Sequence, residues 1–199
     1  QAAAYLYERI DASNWKAWCK IIAPDGSGNA FGHSVSISGE DIVIGAPGES
    51  KDSTNVTVSG GGANPLQSAG AAYLYKGASD DWKKMFNHKI VYWNRAEGDQ
   101  FGYAVSMSGG QLVIGAPFED EDGRQENTII SAGAAHVFFK RIDGTWFWAQ
   151  VLVPNDRAAG DNFGISACIS GDMIVVGAAV RDEMAGDIKL NNAGAAYVF

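Results

Sequence analysis

The sequence predicts an all-β fold assembled from repeated four-stranded antiparallel sheets. Three observations predict it. A nine-residue phrase, Phe31-Gly32-His33-Ser34-Val35-Ser36-Ile37-Ser38-Gly39, returns as Phe101-Gly102-Tyr103-Ala104-Val105-Ser106-Met107-Ser108-Gly109 and as Phe163-Gly164-Ile165-Ser166-Ala167-Cys168-Ile169-Ser170-Gly171. Two more phrases follow each copy in the same order: Ile42-Val43-Ile44-Gly45-Ala46-Pro47 and Gly70-Ala71-Ala72-Tyr73-Leu74-Tyr75 in the first unit, with counterparts at Leu112 to Pro117, Gly133 to Phe138, Ile174 to Ala179 and Gly194 to Phe199. The 199 residues also hold 25 glycines, too many for a helical protein and suited to many turns. Self-similarity at a long period means that each unit is one supersecondary element which needs its neighbours to bury its apolar faces.

Within a unit the first strand alternates. Phe31, His33, Val35 and Ile37 are interleaved with Gly32, Ser34, Ser36 and Ser38. A period of two puts the bulky residues on one face and the small ones on the other. The small face admits close approach of a neighbouring sheet or backbone. Ser38-Gly39-Glu40-Asp41 is a tight turn, so the first two strands form a hairpin. The second strand is apolar on both faces, as in Ile42-Val43-Ile44, which is the pattern of a strand covered on both sides. The third is the Gly-Ala-Ala-aromatic phrase.

A tryptophan marks the fourth strand, predicted over Trp15 to Ile22, Trp82 to Val91 and Trp146 to Val153. Lys16, Lys20, Lys83, Lys84, Lys89 and Gln150 make it the most polar. It reads as an outer edge, where lysines discourage edge-to-edge pairing. No segment shows sustained helical periodicity. Short turns join strands one to two and three to four. The long connections therefore emerge together on one side of the sheet.

Repeated sheets of this kind pack radially as the blades of a β-propeller. A linear stack is the alternative, and it leaves apolar end faces exposed. Residues 1–199 form one propeller segment: a partial blade at 1–22, blades at 31–91 and 101–153, and a partial blade at 163–199. Propellers close with roughly four to eight blades, so further blades of the same chain or self-association through the open blade faces are expected.

The paired Phe-Gly and Gly-Ala-Pro phrases resemble the FG-GAP repeat, the blade unit of the integrin α-subunit propeller. The resemblance covers almost the whole chain, with Ala179 standing where the third unit would have its proline. It implies an extracellular or cell-surface protein that serves adhesion, binding a protein or glycan ligand through the long-loop face; a few relatives are lectins. A structural building block of an extracellular filament or assembly, formed through blade faces and edge strands, is the other reading. Integrin-type repeats carry a calcium loop of the Asp-x-Asp-x-Asp-Gly kind in the first hairpin. Here that hairpin is only Ser-Gly-Glu-Asp, Ser-Gly-Gly-Gln or Ser-Gly-Asp-Met, too short to wrap a cation, so those sites are not carried over.

Charge and motif content narrow the function further. Net charge is -8, from 23 acidic and 15 scattered basic residues, which argues against a nucleic-acid partner. No apolar run reaches the roughly 20 residues of a membrane helix, so no membrane insertion is expected. The chain starts at Gln1 rather than Met, so it is expected to be processed or excised, and no signal peptide is expected within it. Cys19 and Cys168 lie at non-equivalent positions and give no disulfide framework. Asn55-Val56-Thr57 is a glycosylation sequon, with Asn55 the acceptor in a secreted protein. His33, His88 and His136 are not grouped, and no nucleophile elbow, phosphate loop or metal-ligand spacing occurs. The expectation is a binding protein and not an enzyme.

Acidic residues gather in the connections between second and third strands. Glu119-Asp120-Glu121-Asp122-Gly123 is the densest group, with Glu49 and Asp52 or Asp182 and Glu183 at the matching places. Alternate carboxylates before a glycine can turn around a hard cation, which makes Glu119, Asp120 and Asp122 candidate Ca2+ ligands; a solvated acidic loop explains the same residues without metal. Gly98-Asp99 and Gly160-Asp161 recur just before Phe-Gly and read as turns whose aspartate caps the backbone. Trp15, Trp82 and Trp146 recur in register and read as structural. Trp18, Trp93 and Trp148 do not, and core or rim packing is weighed there against one of them lining a sugar site.

Overall fold

A computed structural model describes residues 2–26, 29–51, 66–77, 81–122, 128–185 and 187–199. Strands β1 (Ala4–Arg9) and β2 (Trp15–Ile21) pair as an antiparallel hairpin. Strands β3 (Val35–Ser38), β4 (Asp41–Ala46) and β5 (Ala71–Lys76) are joined, after the short helix α1 (Trp82–Met85), by β6 (Phe86–Ile90) to make a four-stranded sheet in chain order. The next sheet repeats it with β7 (Ala104–Ser108), β8 (Gln111–Ala116), β9 (Ala134–Lys140) and β10 (Trp146–Leu152). In the last unit come β11 (Phe163–Ser170) and β12 (Met173–Ala178), then the small hairpin β13 (Glu183–Ala185) and β14 (Ile188–Leu190), then β15 (Ala195–Val198), which pairs with β12. All these pairings are antiparallel, as expected of propeller blades.

The small faces of the first two first strands, β3 and β7, lie against the next blade, as their glycines and serines predict. Ser34 Oγ donates to the Gly102 carbonyl at 3.0 Å, while Met107 N–H and Gly109 N–H donate to Ser36 and Ser38 Oγ at 3.0 and 2.9 Å. One blade further on, Ile169 N–H and Gly171 N–H donate to Ser106 and Ser108 Oγ at 3.1 and 3.2 Å. Between the sheets lies the core. Val43 and Leu74 of one blade pack with Val105 and Met107 of the next, and Val113 and Val137 with Ile169 and Val176.

The two glycines of the repeated phrases meet across this interface. A Cβ on Gly45 would lie 2.0 Å from the Gly102 carbonyl oxygen, and one on Gly115 would lie 1.9 Å from that of Gly164. Gly102 also has φ +89°, in the left-handed region that glycine enters without a side-chain clash. The Phe beside it turns inward: Phe31, Phe101 and Phe163 are all buried. Phe-Gly and Gly-Ala-Pro are thus two halves of one blade-to-blade contact.

Four details depart from the sequence reading. The fourth strand of the second unit starts at Phe86, not Trp82. Asp81 takes the Lys83 and Lys84 N–H groups on its side chain and carbonyl, at 3.1 and 3.0 Å, and caps α1 over the preceding residues. The first two units begin their first strand after the Phe-Gly pair, at Val35 and Ala104, whereas β11 begins at Phe163. Trp15 is 64 % exposed on the outer hairpin, whereas Trp146 at the same register is buried at 2 %. Lys89 lies on the edge strand β6, as read, but does not face water: it is 2 % exposed, opposite Tyr73 in the sheet. The Asn55 sequon and Asp52 lie outside the described residues.

Candidate functional site

The long connections leave the sheets at one end, and each unit builds the same frame there. The residue two places after Pro47, Pro117 or Ala179 is Glu49, Glu119 or Arg181; its carbonyl accepts the N–H of Gly70, Gly133 or Gly194 at 2.8 to 2.9 Å. The next residue ties the loop. Ser50 Oγ accepts Ser68 N–H at 3.2 Å, Asp120 Oδ1 accepts Ser131 N–H at 2.6 Å, and Asp182 Oδ1 accepts Asn192 N–H at 2.9 Å. The three donors all have positive φ, between 50° and 53°. Asp99 and Asp161 accept the N–H of Ala96 and Ala158, so both are turn caps as their recurrence predicts.

On this common frame each unit carries different chemistry. In the first, Tyr73 Oη lies 2.9 Å from Glu49 Oε2 and 2.8 Å from Asp25 Oδ2, and Lys89 Nζ donates to Asp25 at 3.0 Å. In the second, His136 takes the tyrosine's place and meets Glu119 Oε2 at 2.6 Å, with its ring tilted 49° against that of Tyr92 and the centroids 4.1 Å apart. Both partners are buried, so they lie out of reach of a substrate. Near them, burial and then Glu119, Glu121 and Asp120 push the Asp99 carboxyl up to about 8, against the opposing donation from Ala96. In the third, Arg181 replaces the glutamate. Its guanidinium binds Asp156 and Glu183 at 2.8 Å and Asp161 at 3.1 Å, beside Tyr197.

The candidate calcium ligands are directed to separate partners. Glu119 faces His136, Asp120 ties the loop at Ser131, and Asp122 lines a groove. Among the described residues, no group of three His, Cys, Asp or Glu side chains is arranged to hold a metal ion. That groove encloses about 620 Å³ between the connection after β8 and the one after β10. Ile129 and Pro154 give it apolar walls; Asp122, Thr128, Asn155 and Arg157 give it polar ones. Arg157 donates Nη2 to the Asp120 carbonyl at 2.7 Å, and burial lowers its pKa against the pull of Asp122, Glu119 and Asp120. Trp93 stands 39 % exposed on the same face, whereas Trp148 packs against the core and Trp18 lies on the outer strand β2.

Sequence reasoning missed Arg157, Lys89 and Arg181. For Arg181 the signal was present: it stands in register with Glu49 and Glu119. The environment of Lys89 was hidden, because a lysine on an edge strand ordinarily faces water.

The geometry can now be set beside known families. FG-GAP repeats match residues 15–75, 86–138 and 146–199. The chain belongs to the FG-GAP repeat family. Each matched segment of this FG-GAP chain starts on the fourth strand of one sheet and ends on the third strand of the next. The family unit therefore straddles two blades and holds both long connections of the candidate face. No curated protein matches the chain.

Proposed function

We propose that this FG-GAP chain is part of an extracellular binding propeller that recognises a protein or glycan through its long-loop face. The groove beside Arg157 carries the reading. It is concave, combines apolar walls with a guanidinium, a hydroxyl, an amide and a carboxylate, and lies between two loops on a rigid sheet frame. The frame repeats while the groups under it change from Glu-Tyr to Glu-His to Arg-Tyr. Loops varied on a constant scaffold are where binding specificity resides. Exposed Trp93 adds an aromatic surface of the kind that stacks on sugar rings or fills protein interfaces.

Immobilised glycans and cell-surface ectodomains, probed with the labelled chain, test the proposal. A specific ligand is expected whose affinity falls roughly tenfold or more in Arg157→Gln, the size of a good interface contact. Trp15→Ala, on the outer hairpin, is expected to bind as the parent does. Absence of any ligand above background, or equal losses in both variants, would refute the loop-face reading.

A further inference from the structure

We propose that Lys89 and Asp25 join in an intramolecular isopeptide bond, formed by the folded chain itself, with Glu49 and Tyr73 carrying the protons. The proposal does not depend on the loop-face reading. It rests on four side chains that meet beneath the loops of the first full blade. Lys89 Nζ lies 3.0 Å from Asp25 Oδ2 and 3.5 Å from Glu49 Oε1. Tyr73 Oη lies 2.8 Å from the same Asp25 oxygen and 2.9 Å from Glu49 Oε2. The side chains of Lys89, Asp25 and Glu49 are 3, 14 and 0 % exposed, and Tyr73 is fully buried.

The fold does not need a cation at this place. Lys89 pairs with Tyr73 across the sheet, and in the next blade Val151 pairs with His136 in that register. An apolar side chain therefore fills the position that Lys89 takes. Phe31, Ile44 and Val91 pack in the same apolar cluster as Tyr73. Taking an ammonium and a carboxylate out of water is costly, and such a pair often stabilises less than apolar residues of the same volume. A covalent bond between the two removes both charges.

The hydrogen bonds also place a proton on one acid. Tyr73 Oη carries one proton and stands within hydrogen-bond distance of two carboxyl oxygens. It can donate to only one of them, so the other carboxyl donates to it. Glu49 is that donor. Its Oε1 accepts the N–H groups of Ser50 and Lys51 at 3.0 and 2.7 Å, which leaves Oε2 for the proton. Asp25 Oδ2 already accepts from Lys89. A relay thus runs from Nζ through Glu49 and Tyr73 to Oδ2.

The reaction is a condensation. Lys89 gives a proton to Glu49 Oε1 while Oε2 passes its own to Tyr73 and Tyr73 passes one to Asp25 Oδ2. Ammonium and carboxylate become amine and carboxylic acid. The amine lone pair then forms a bond to Asp25 Cγ, a second proton follows to Oδ2, and the Cγ–Oδ2 bond breaks to release water. Two of the three ammonium protons leave in that water and the third stays on the amide nitrogen. Glu49 and Tyr73 end as they began, and no oxidant, reductant or co-reactant is consumed. Holding the two groups in contact gives an effective concentration of about 10⁵–10⁸ M. Asp25 follows β2 and Lys89 lies on β6, so the bond closes a covalent loop around β3, β4 and β5.

Intact-mass spectrometry of the denatured chain tests the bond, and a tryptic digest locates it. The parent is expected to be lighter than its sequence by one water. The peptides holding Asp25 and Lys89 are expected to be joined, with no cleavage after Lys89. Lys89→Met is expected to show its full mass. Glu49→Gln keeps the size of the side chain and removes the proton carrier; the bond is expected to form roughly a hundredfold more slowly in it, with unchanged circular dichroism. Asp25 precedes Gly26, and a succinimide there would lose the same water without joining peptides. The peptide map of the parent therefore decides without any variant. A parent of full mass, a loss of water with the two peptides separate, or a loss retained in Lys89→Met would each overturn the bond. Formation at the parent's rate in Glu49→Gln would overturn the role of Glu49.

Discussion

Asp99 sits in an environment that opposes its charge. Its carboxyl is 4 % exposed and pushed up to about 8, first by burial and then by Glu119, Glu121 and Asp120. A carboxyl raised in the folded state contributes stability that is fully present below its unfolded value of 3.8 and is lost as pH rises through about 8. His88 works in the opposite direction: burial lowers it to about 4, so its contribution is present above 6.5 and is lost as pH falls toward 4. The two oppose each other between about 4 and 6.5, and above 6.5 the Asp99 contribution stands without that of His88. Asp99→Asn retains an acceptor for Ala96 and cannot ionise. Between pH 6.5 and 8 the parent is expected to lose on the order of 2 kcal/mol relative to this variant in urea unfolding. Parallel stability profiles for the two proteins would show that Asp99 does not titrate with folding.

Single elements are held by contacts that only their neighbours explain. Gly102 and Gly109 both have positive φ, +89° and +57°. Around Gly109 a Cβ would find nothing within 4 Å, while at Gly102 it would meet the Ala71 carbonyl oxygen at 2.2 Å. Gly109→Ala is expected to cost about 1–2 kcal/mol, the left-handed penalty alone. Gly102→Ala adds a backbone collision in the blade interface and is expected to cost more than about 4 kcal/mol. Thermal or denaturant unfolding measures the difference, and equal losses would mean that the blades do not meet as closely as Gly45 and Gly102 indicate. The strand pattern itself was legible in the sequence. Alternation of Val35 and Ile37 with serines, and the doubly apolar Ile42-Val43-Ile44, follow from the two-residue period of a pleated chain. Helix α1 was not legible, because its four residues are too few to show a 3.6-residue period and depend on the cap at Asp81. Nor was the difference between Trp15 and Trp146: the register is the same, but β10 packs within a complete blade and β2 within a hairpin.

At the scale of the molecule, two surfaces have separate geometry. The loop face carries the Arg157 groove, while the blade faces carry Val35 and Ile37 at one end and Val175 and Val198 at the other. A substitution on one is therefore expected to leave the other unchanged. Cys168→Arg, on the exposed blade face, should retain the ligand affinity of the parent. Loss of ligand affinity in Cys168→Arg would mean that the binding site extends beyond the Arg157 groove.

The repeated phrases were enough to establish the strands, their antiparallel order and the FG-GAP family, because side-chain alternation and turn residues are local properties. They also located the acidic loops. They could not say where those carboxylates point. Glu119 faces His136, Asp120 ties its loop, and Asp182 repeats that tie, each through a partner at least ten residues away in the chain. The burial of Lys89 opposite Tyr73 and the exposure of Tyr5 were likewise decided by which strands lie alongside. Burial is set by what covers a surface, and identical phrases in successive units have different neighbours.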